Sequence, residues 1–330
     1  MFFNYLRILF FLISSSVIAQ DIHLTQYYTS NMSLNPAYTG HYDGDVRITG
    51  NSRSQWSQVN SSIKTNILSV EKKFHVFPNE IGVGVMFVND QVSALFLHTN
   101  KALASLSYQM KVGKNLIRVG AQGGVTMRNI QLDGQTFPEQ WNYSTGSYES
   151  SSSSGEVNLK TSWMLPSVNA GLSWSRTFGR TPITLGYGLY NINKPKDQFV
   201  SNIEATPFRH VLNGTTTLYI SPRTWVTPQL LYMQMAKALN MLALANVNHK
   251  FNDRLTAYIG GGMRGSSTNG DAAIAVLGAQ INRLAVGFSW DFNISSLSKN
   301  SKYKSAWEIS ISYTTPSRAH GKVTIPCDRY

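Results

Sequence analysis

The chain has 330 residues, 42% of them hydrophobic and 12% aromatic, but only 14% charged. Ordinary soluble domains carry roughly 25% charged residues, so the balance of few charges with many aromatics points toward a membrane barrel with interfacial girdles. The net charge of +12 invites a nucleic-acid reading, yet no basic run or binding motif accompanies it, and Lys and Arg that line a lumen or meet anionic headgroups account for it.

Residues 1–19 read as a secretory signal peptide. Arg7 supplies the positive charge, 8–13 form an apolar core, and Ala19 is a small residue suited to cleavage. That core is too short for a spanning helix, and no later run approaches ~18 uninterrupted apolar residues. Gln20 stands where a lipoprotein would carry Cys. Residues 20–45 follow, with Pro36, Gly40 and Gly44. Irregular backbone is not tolerated against lipid, so this segment either hangs in the periplasm or tucks into the barrel and plugs the lumen.

From 46 to 330 the dominant signal is alternation with period two, which marks strands with one oily and one wet face. Ile81, Val83, Val85 and Phe87 share one face against Gly82, Gly84 and Met86. Leu106, Tyr108, Met110 and Val112 oppose Ser105, Ser107, Gln109 and Lys111. The runs 284–292 and 307–314 alternate most strictly of all. Fourteen strands are expected, near 46–56, 61–75, 80–88, 101–112, 115–130, 163–177, 181–191, 210–220, 224–235, 238–251, 255–264, 272–281, 284–292 and 305–314. Most are at least as long as the roughly 9–11 residues a tilted membrane strand needs. Connections after even-numbered strands are short, whereas 89–100, 131–162, 192–209, 265–271 and 293–304 are longer. Short periplasmic turns and long external loops give this parity when both termini lie inside. The expected architecture is an all-β, antiparallel outer-membrane barrel of about fourteen strands, preceded by an irregular segment.

Within that frame, charges on the polar phase of a strand must point inward, because Arg facing lipid near the midplane costs roughly 2–4 kcal/mol. Arg53, Arg118, Arg264, Asp291 and Glu308 fall in this group, as do Arg47 and Arg128. They would pair across the lumen or with the N-terminal segment; ion pairs that close the barrel and a role in transport are both open. Trp141, Tyr143, Tyr148, Phe199 and Phe208 lie in the long loops. They are candidate partner-binding anchors, or else girdle residues.

Catalytic and metal chemistry is not indicated. The seven histidines form no pair at metal-ligand spacing, Cys327 is alone, and no nucleophile elbow is present. The glycines at 260–262 lack the Lys-Ser/Thr and helix of a phosphate loop and read as sites of bending or close packing of a plug. No cofactor and no enzymatic activity are expected.

Longer blocks resemble a known family. Gln20-Asp21-Ile22-His23-Leu24-Thr25-Gln26-Tyr27-Tyr28 and Leu34-Asn35-Pro36-Ala37-Tyr38-Thr39-Gly40 resemble the opening of the PorP/SprF family. Arg53, Gln55-Trp56, the run 188–195, Arg209-His210, Gly262-Met263-Arg264-Gly265, Asp271-Ala272, the run 287–295, the run 308–313 and Pro326-Cys327 continue it in order. Ile22 stands where the family commonly has Pro, and Asp328 replaces a Pro after the terminal Cys. The resemblance implies an outer-membrane component of the type IX secretion system of Bacteroidetes. It would help export, or retain at the surface, a substrate such as a large gliding adhesin by holding its C-terminal sorting domain, alone or with other components of the system. An outer-membrane pore for small solutes is the alternative.

Overall fold

The computed structural model describes residues 23–317 apart from 57–61, 77–78, 94–95, 132–135, 137, 150, 153–160, 197–204, 267–269 and 295–304. The expected signal peptide, Phe199 and Cys327 lie outside the described residues.

The strands are β1 (Val46–Gln55), β2 (Ile63–Val76), β3 (Asn79–Val92), β4 (Leu97–Val112), β5 (Asn115–Ile130), a small hairpin of β6 (Trp141–Asn142) and β7 (Ser147–Tyr148), β8 (Ser162–Phe178), β9 (Thr181–Tyr190), β10 (Arg209–Thr216), β11 (Leu218–Ser221), β12 (Thr224–Met235), β13 (Ala238–Lys250), β14 (Leu255–Gly265), β15 (Gly270–Ile281), β16 (Leu284–Asn293) and β17 (Ala306–Thr314). Apart from the separate β6–β7 hairpin, each pairs antiparallel with its neighbour in sequence. β10 and β11 are one strand interrupted at Thr217, since both pair with β12. β1 pairs with β17 from Arg47↔Thr314 to Gln55↔Ala306, which joins the first strand to the last. The result is a closed fourteen-stranded antiparallel barrel.

Alternation explains both faces. Along β2, Thr65, Ile67, Ser69 and Glu71 are buried while Leu68 and Val70 are exposed. Along β4, Leu103, Ser105 and Ser107 are buried while Leu106 is exposed. Outward apolar side chains such as Ile259, Leu230 and Leu277 stand 68%, 62% and 57% exposed. An apolar band of this extent is unfavourable in water but is the surface a barrel presents to lipid. Closure leaves no strand edge with unmet backbone groups, the other condition for crossing a bilayer.

The connections divide the barrel into two ends. Tight turns at 113–114, 179–180 and 282–283 mark a turn end, and 131–161, 191–208 and 294–305 mark a loop end. One expected loop does not exist. β3 continues to Val92 and β4 begins at Leu97, so most of 89–100 is strand and only 93–96 connects it. Here both strand faces turn polar, and the side chains pair with one another, as in Asn89 Nδ2 donating to Asn100 Oδ1 at 2.7 Å. The strand has run past the hydrocarbon, where alternation is no longer required.

Candidate functional site

Residues 23–45 run along the interior from the loop end to the turn end. They contain three short helical turns, Tyr27–Thr29, Asn31–Leu34 and Pro36–Tyr38. Asn35 starts the last of these by accepting a hydrogen bond from the Ala37 amide at 2.9 Å, with Pro36 preset for the first position. This short helical piece has few internal bonds, so its polar groups must find partners on the wall. Gln122 Nε2 donates to Met32 O (3.2 Å), the Tyr190 hydroxyl to Ser33 O (2.9 Å) and Asn35 Nδ2 to Leu172 O (3.0 Å). Asn213 Nδ2 donates to the Tyr38 hydroxyl (2.8 Å), and Ser107 Oγ to Thr39 O (2.6 Å). Leu24, Tyr27, Met32, Leu34 and Tyr38 belong to one apolar cluster with Ile67, Met86, Val211, Leu231 and Leu244 of the wall.

Three wall glycines make the approach feasible. A Cβ at Gly82 would strike the Thr39 backbone, one at Gly120 the Pro36–Ala37 backbone, and one at Gly171 the Asn35 side chain. The glycines at 260–262 serve differently. A Cβ at Gly260 would meet Asn246, and one at Gly262 would meet Ala243 and Leu244, so the room they leave is taken by β13.

At the loop end the wall supplies a neutral knot of four charges. Arg53 (β1) and Glu308 (β17) are direct partners across the seam. Arg53 Nη2 lies 2.8 Å from Asp291 Oδ2 and its Nη1 3.5 Å from Glu308 Oε2, while Arg264 Nη1 lies 2.8 Å from the same Asp291 oxygen. Thr25 sits at the centre. Its hydroxyl accepts from Arg53 (2.7 Å) and Arg264 (2.6 Å) and donates to Asp291 (2.9 Å). The amides of Thr25 and Gln26 donate to the two Glu308 carboxylate oxygens at 2.7 and 3.0 Å. Gln26 completes the contact by donating to Glu308 O at 3.1 Å and accepting from Ser310 Oγ at 2.9 Å. All four charged side chains are buried, so their mutual attraction and these hydrogen bonds must offset a desolvation penalty of several kcal/mol per ion.

At the turn end the arrangement is smaller. Arg47 reaches Glu71 Oε1 through Nη2 (2.6 Å) and Nε (3.2 Å), and the Gly40 amide donates to Glu71 Oε2 at 2.9 Å. The Tyr42 hydroxyl donates within reach of Glu71 O (2.8 Å) and Asp45 O (2.9 Å), with the Arg47 guanidinium over its ring at 4.7 Å.

Of the inward charges read from sequence, Arg53, Arg264, Asp291 and Glu308 thus meet around Thr25. Arg118 is buried but stands apart, donating to Gln109 (2.7 Å) and Ser175 (2.9 Å) on the neighbouring strands. Glu71, Thr25 and Gln26 were missed as site residues. Glu71 occupies the inward phase of β2 and could have been found by the same alternation. Among the loop aromatics, Trp141 and Tyr148 face each other across the β6–β7 hairpin with ring centroids 4.9 Å apart, and Tyr143 at its tip is 91% exposed. Phe208 lies in a different connection, under the Lys194 ammonium at 4.5 Å.

A closed barrel with an outward apolar band and buried polar and charged side chains on its inward face defines the protein as an outer-membrane β-barrel. Residues 16–313 match the family described as type IX secretion system membrane protein PorP/SprF, and the chain belongs to that family. Among solved structures, the chain is similar to the Pseudomonas putida toluene transporter TodX, with 10% identity, a TM-score of 0.52 and coverage of 88% of this chain and 95% of that one. It is also similar to the CymD monoaromatic hydrocarbon channel, with 12% identity, a TM-score of 0.51 and coverage of 88% and 94%. At such identities the likeness is one of fold. No curated protein matches the chain. Membership in the family fits a non-enzymatic role and interaction with secretion components or substrates.

Proposed function

We propose that this barrel is an export partner and surface anchor for a type IX substrate. In this reading the long loops face outward and hold the C-terminal sorting domain of the substrate, such as a large gliding adhesin, while residues 23–45 plug the lumen. What supports it is the hydrogen bonding of that segment to the wall from the Thr25 end to the Gly40 end, which in this reading takes up the lumen and makes the loop end the working face. The exposed Trp141, Tyr143 and Tyr148 and, beyond them, Phe199 and Phe208 are the anchors, since aromatic side chains carry much of the energy of interfaces. Export follows a cleaved signal peptide at 1–19.

The test is isolation of the protein from its native outer membrane in gentle detergent, with mass spectrometry of what accompanies it. A single large secreted protein, held through its C-terminal domain and lost when Trp141, Tyr143 and Tyr148 are changed together to Ser, is the expected result. Recovery of the bare barrel together with steady single-channel conductance of the intact protein would overturn the reading in favour of a solute pore.

A further inference from the structure

The outward face of β2 to β5 changes character in three steps near the loop end. Cross-strand register sets Leu68, Phe87, Ala102 and Val125 side by side in one row. Leu68 and Phe87 are exposed, and so is Met127 one step higher, which leaves the small Ala102 low between taller neighbours. These side chains bound an open groove of about 300 Å³ whose surface is almost wholly apolar, at the lower end of the range seen for small-ligand sites.

The next row toward the loop end is Asn66, Asn89 and Asn100, again direct partners across the strands. Strands leaving the hydrocarbon ordinarily carry Trp and Tyr at that level, whereas three amides stand here. Ser52 Oγ donates to Asn66 Oδ1 at 2.8 Å, Gln91 Nε2 to Asn89 Oδ1 at 3.1 Å, and Asn89 Nδ2 to Asn100 Oδ1 at 2.7 Å. The wall itself thus satisfies all three side-chain oxygens, and the Asn66 and Asn100 amide nitrogens are left as donors at the top of the groove. One step further lies the row Lys64, Gln91, His98 and Asn129, which holds no carboxylate. Lys64 is exposed.

Apolar groove, amide donors and cation stack in the order in which a bilayer lipid presents its acyl chain, carbonyl linkage and anionic headgroup. We propose that this groove is a binding site for one acyl chain of an anionic bilayer lipid. The chain would lie over Ala102 between Phe87 and Val125. The carbonyl of its linkage would accept from Asn66 or Asn100, and the headgroup would meet Lys64. Lipid surrounds any such barrel; what this site adds is a fixed seat and a choice of headgroup. The inference goes beyond the anchoring reading and does not require it, since the groove lies on the wall and not on the loops.

The experiment uses the full-length barrel in phosphatidylcholine nanodiscs. A small admixture of phosphatidylglycerol or phosphatidylcholine carries a diazirine in one acyl chain, and irradiation followed by peptide mass spectrometry maps where each lipid rests. Phosphatidylglycerol should label the strands around Phe87, Ala102 and Val125 above the rest of the barrel. It should do so about fivefold more than phosphatidylcholine, the gain from one Lys beside an anionic headgroup. Ala102→Trp, a change on the lipid face, should erase this excess by filling the groove. Lys64→Gln should equalise the two lipids while the groove stays labelled. Even labelling around the unaltered barrel, or equal labelling of its groove by the two lipids, would overturn the proposal without reference to any variant. So would an Ala102→Trp barrel that keeps the lipid pattern but loses a protein in the native-membrane isolation, which would give the groove to a partner chain. Loss of a substrate from the loops in that isolation bears on the anchoring reading alone, so either inference can fail by itself.

Discussion

The two ends of the 23–45 segment are fastened by different means. The Gly40–Tyr42 end sits a few residues from β1, so the chain itself keeps it near the wall, and Glu71 with Arg47, together with the Lys73 ammonium donating to Tyr42 O, holds it. Thr25 and Gln26 lie about twenty residues before β1 in sequence. They are gathered by Arg53, Arg264, Asp291 and Glu308 from four strands, with sequence separations of up to 283 residues. Ordering backbone costs about 1–2 kcal/mol of entropy per residue, and the larger charged knot is placed at the end that lies farther along the chain from β1. The same knot also stitches the β1–β17 seam, so seam closure and segment docking depend on each other.

The largest effect should come from breaking the knot. Glu308→Ala removes the acceptor of two backbone amides and the seam partner of Arg53, leaving two buried guanidiniums against Asp291 alone. A loss of about 3–5 kcal/mol is expected for such an orphaned buried charge, read as a lower urea midpoint of the refolded barrel. Protease should then reach Thr25–Leu34 in intact vesicles. Glu71→Gln, at the tethered end, should cost less, about 1–3 kcal/mol, and leave Thr25 protected. Equal losses at the two ends would refute the contrast.

A second change separates docking from barrel stability. Gly120→Leu places a side chain where Pro36 and Ala37 now lie. Either the segment withdraws or the wall strains, at about 1–3 kcal/mol. Withdrawal should appear as new ionic conductance with strand content unchanged by circular dichroism. A silent bilayer with a normally protected segment would mean that the wall yields instead.

The fourteen strands were legible because lipid enforces a strict alternation on one face, as in Val83, Val85 and Phe87. Where lipid ends, so does the signal: Asn89, Asp90, Thr99 and Asn100 are polar on both phases, and the strand there reads as loop. The same logic put Arg53, Asp291 and Glu308 on the inside. It could not say which charges meet, because that depends on the register of strands far apart in sequence and on a segment lacking any period. Gly82, Gly120 and Gly171, where Thr39, Pro36-Ala37 and Asn35 approach the wall, were not singled out in the sequence, whereas the glycines at 260–262, read as sites of bending or close packing of a plug, accommodate a neighbouring strand.

The smallest expected effect tests whether the tethered end needs Tyr42 in addition to Glu71. The Tyr42 hydroxyl is a neutral link to the wall through Glu71 O, beside Ser107 Oγ donating to Thr39 O and the Lys73 ammonium donating to Tyr42 O, while the ring carries Arg47 above it. Tyr42→Phe deletes the first and keeps the second, so the loss should stay near 0.5–1.5 kcal/mol. Tyr42→Ala removes both, adding the roughly 0.5–1 kcal/mol of a cation–π contact and freeing the Arg47 fork to swing from Glu71. If the Phe variant matches the parent and the Ala variant unlocks Gly40 to hydrogen exchange, ring stacking rather than hydrogen bonding fixes this end. If neither variant changes exchange at Gly40, the Glu71 carboxylate and chain connectivity hold this end without Tyr42, a much lighter fastening than the four-charge knot at Thr25.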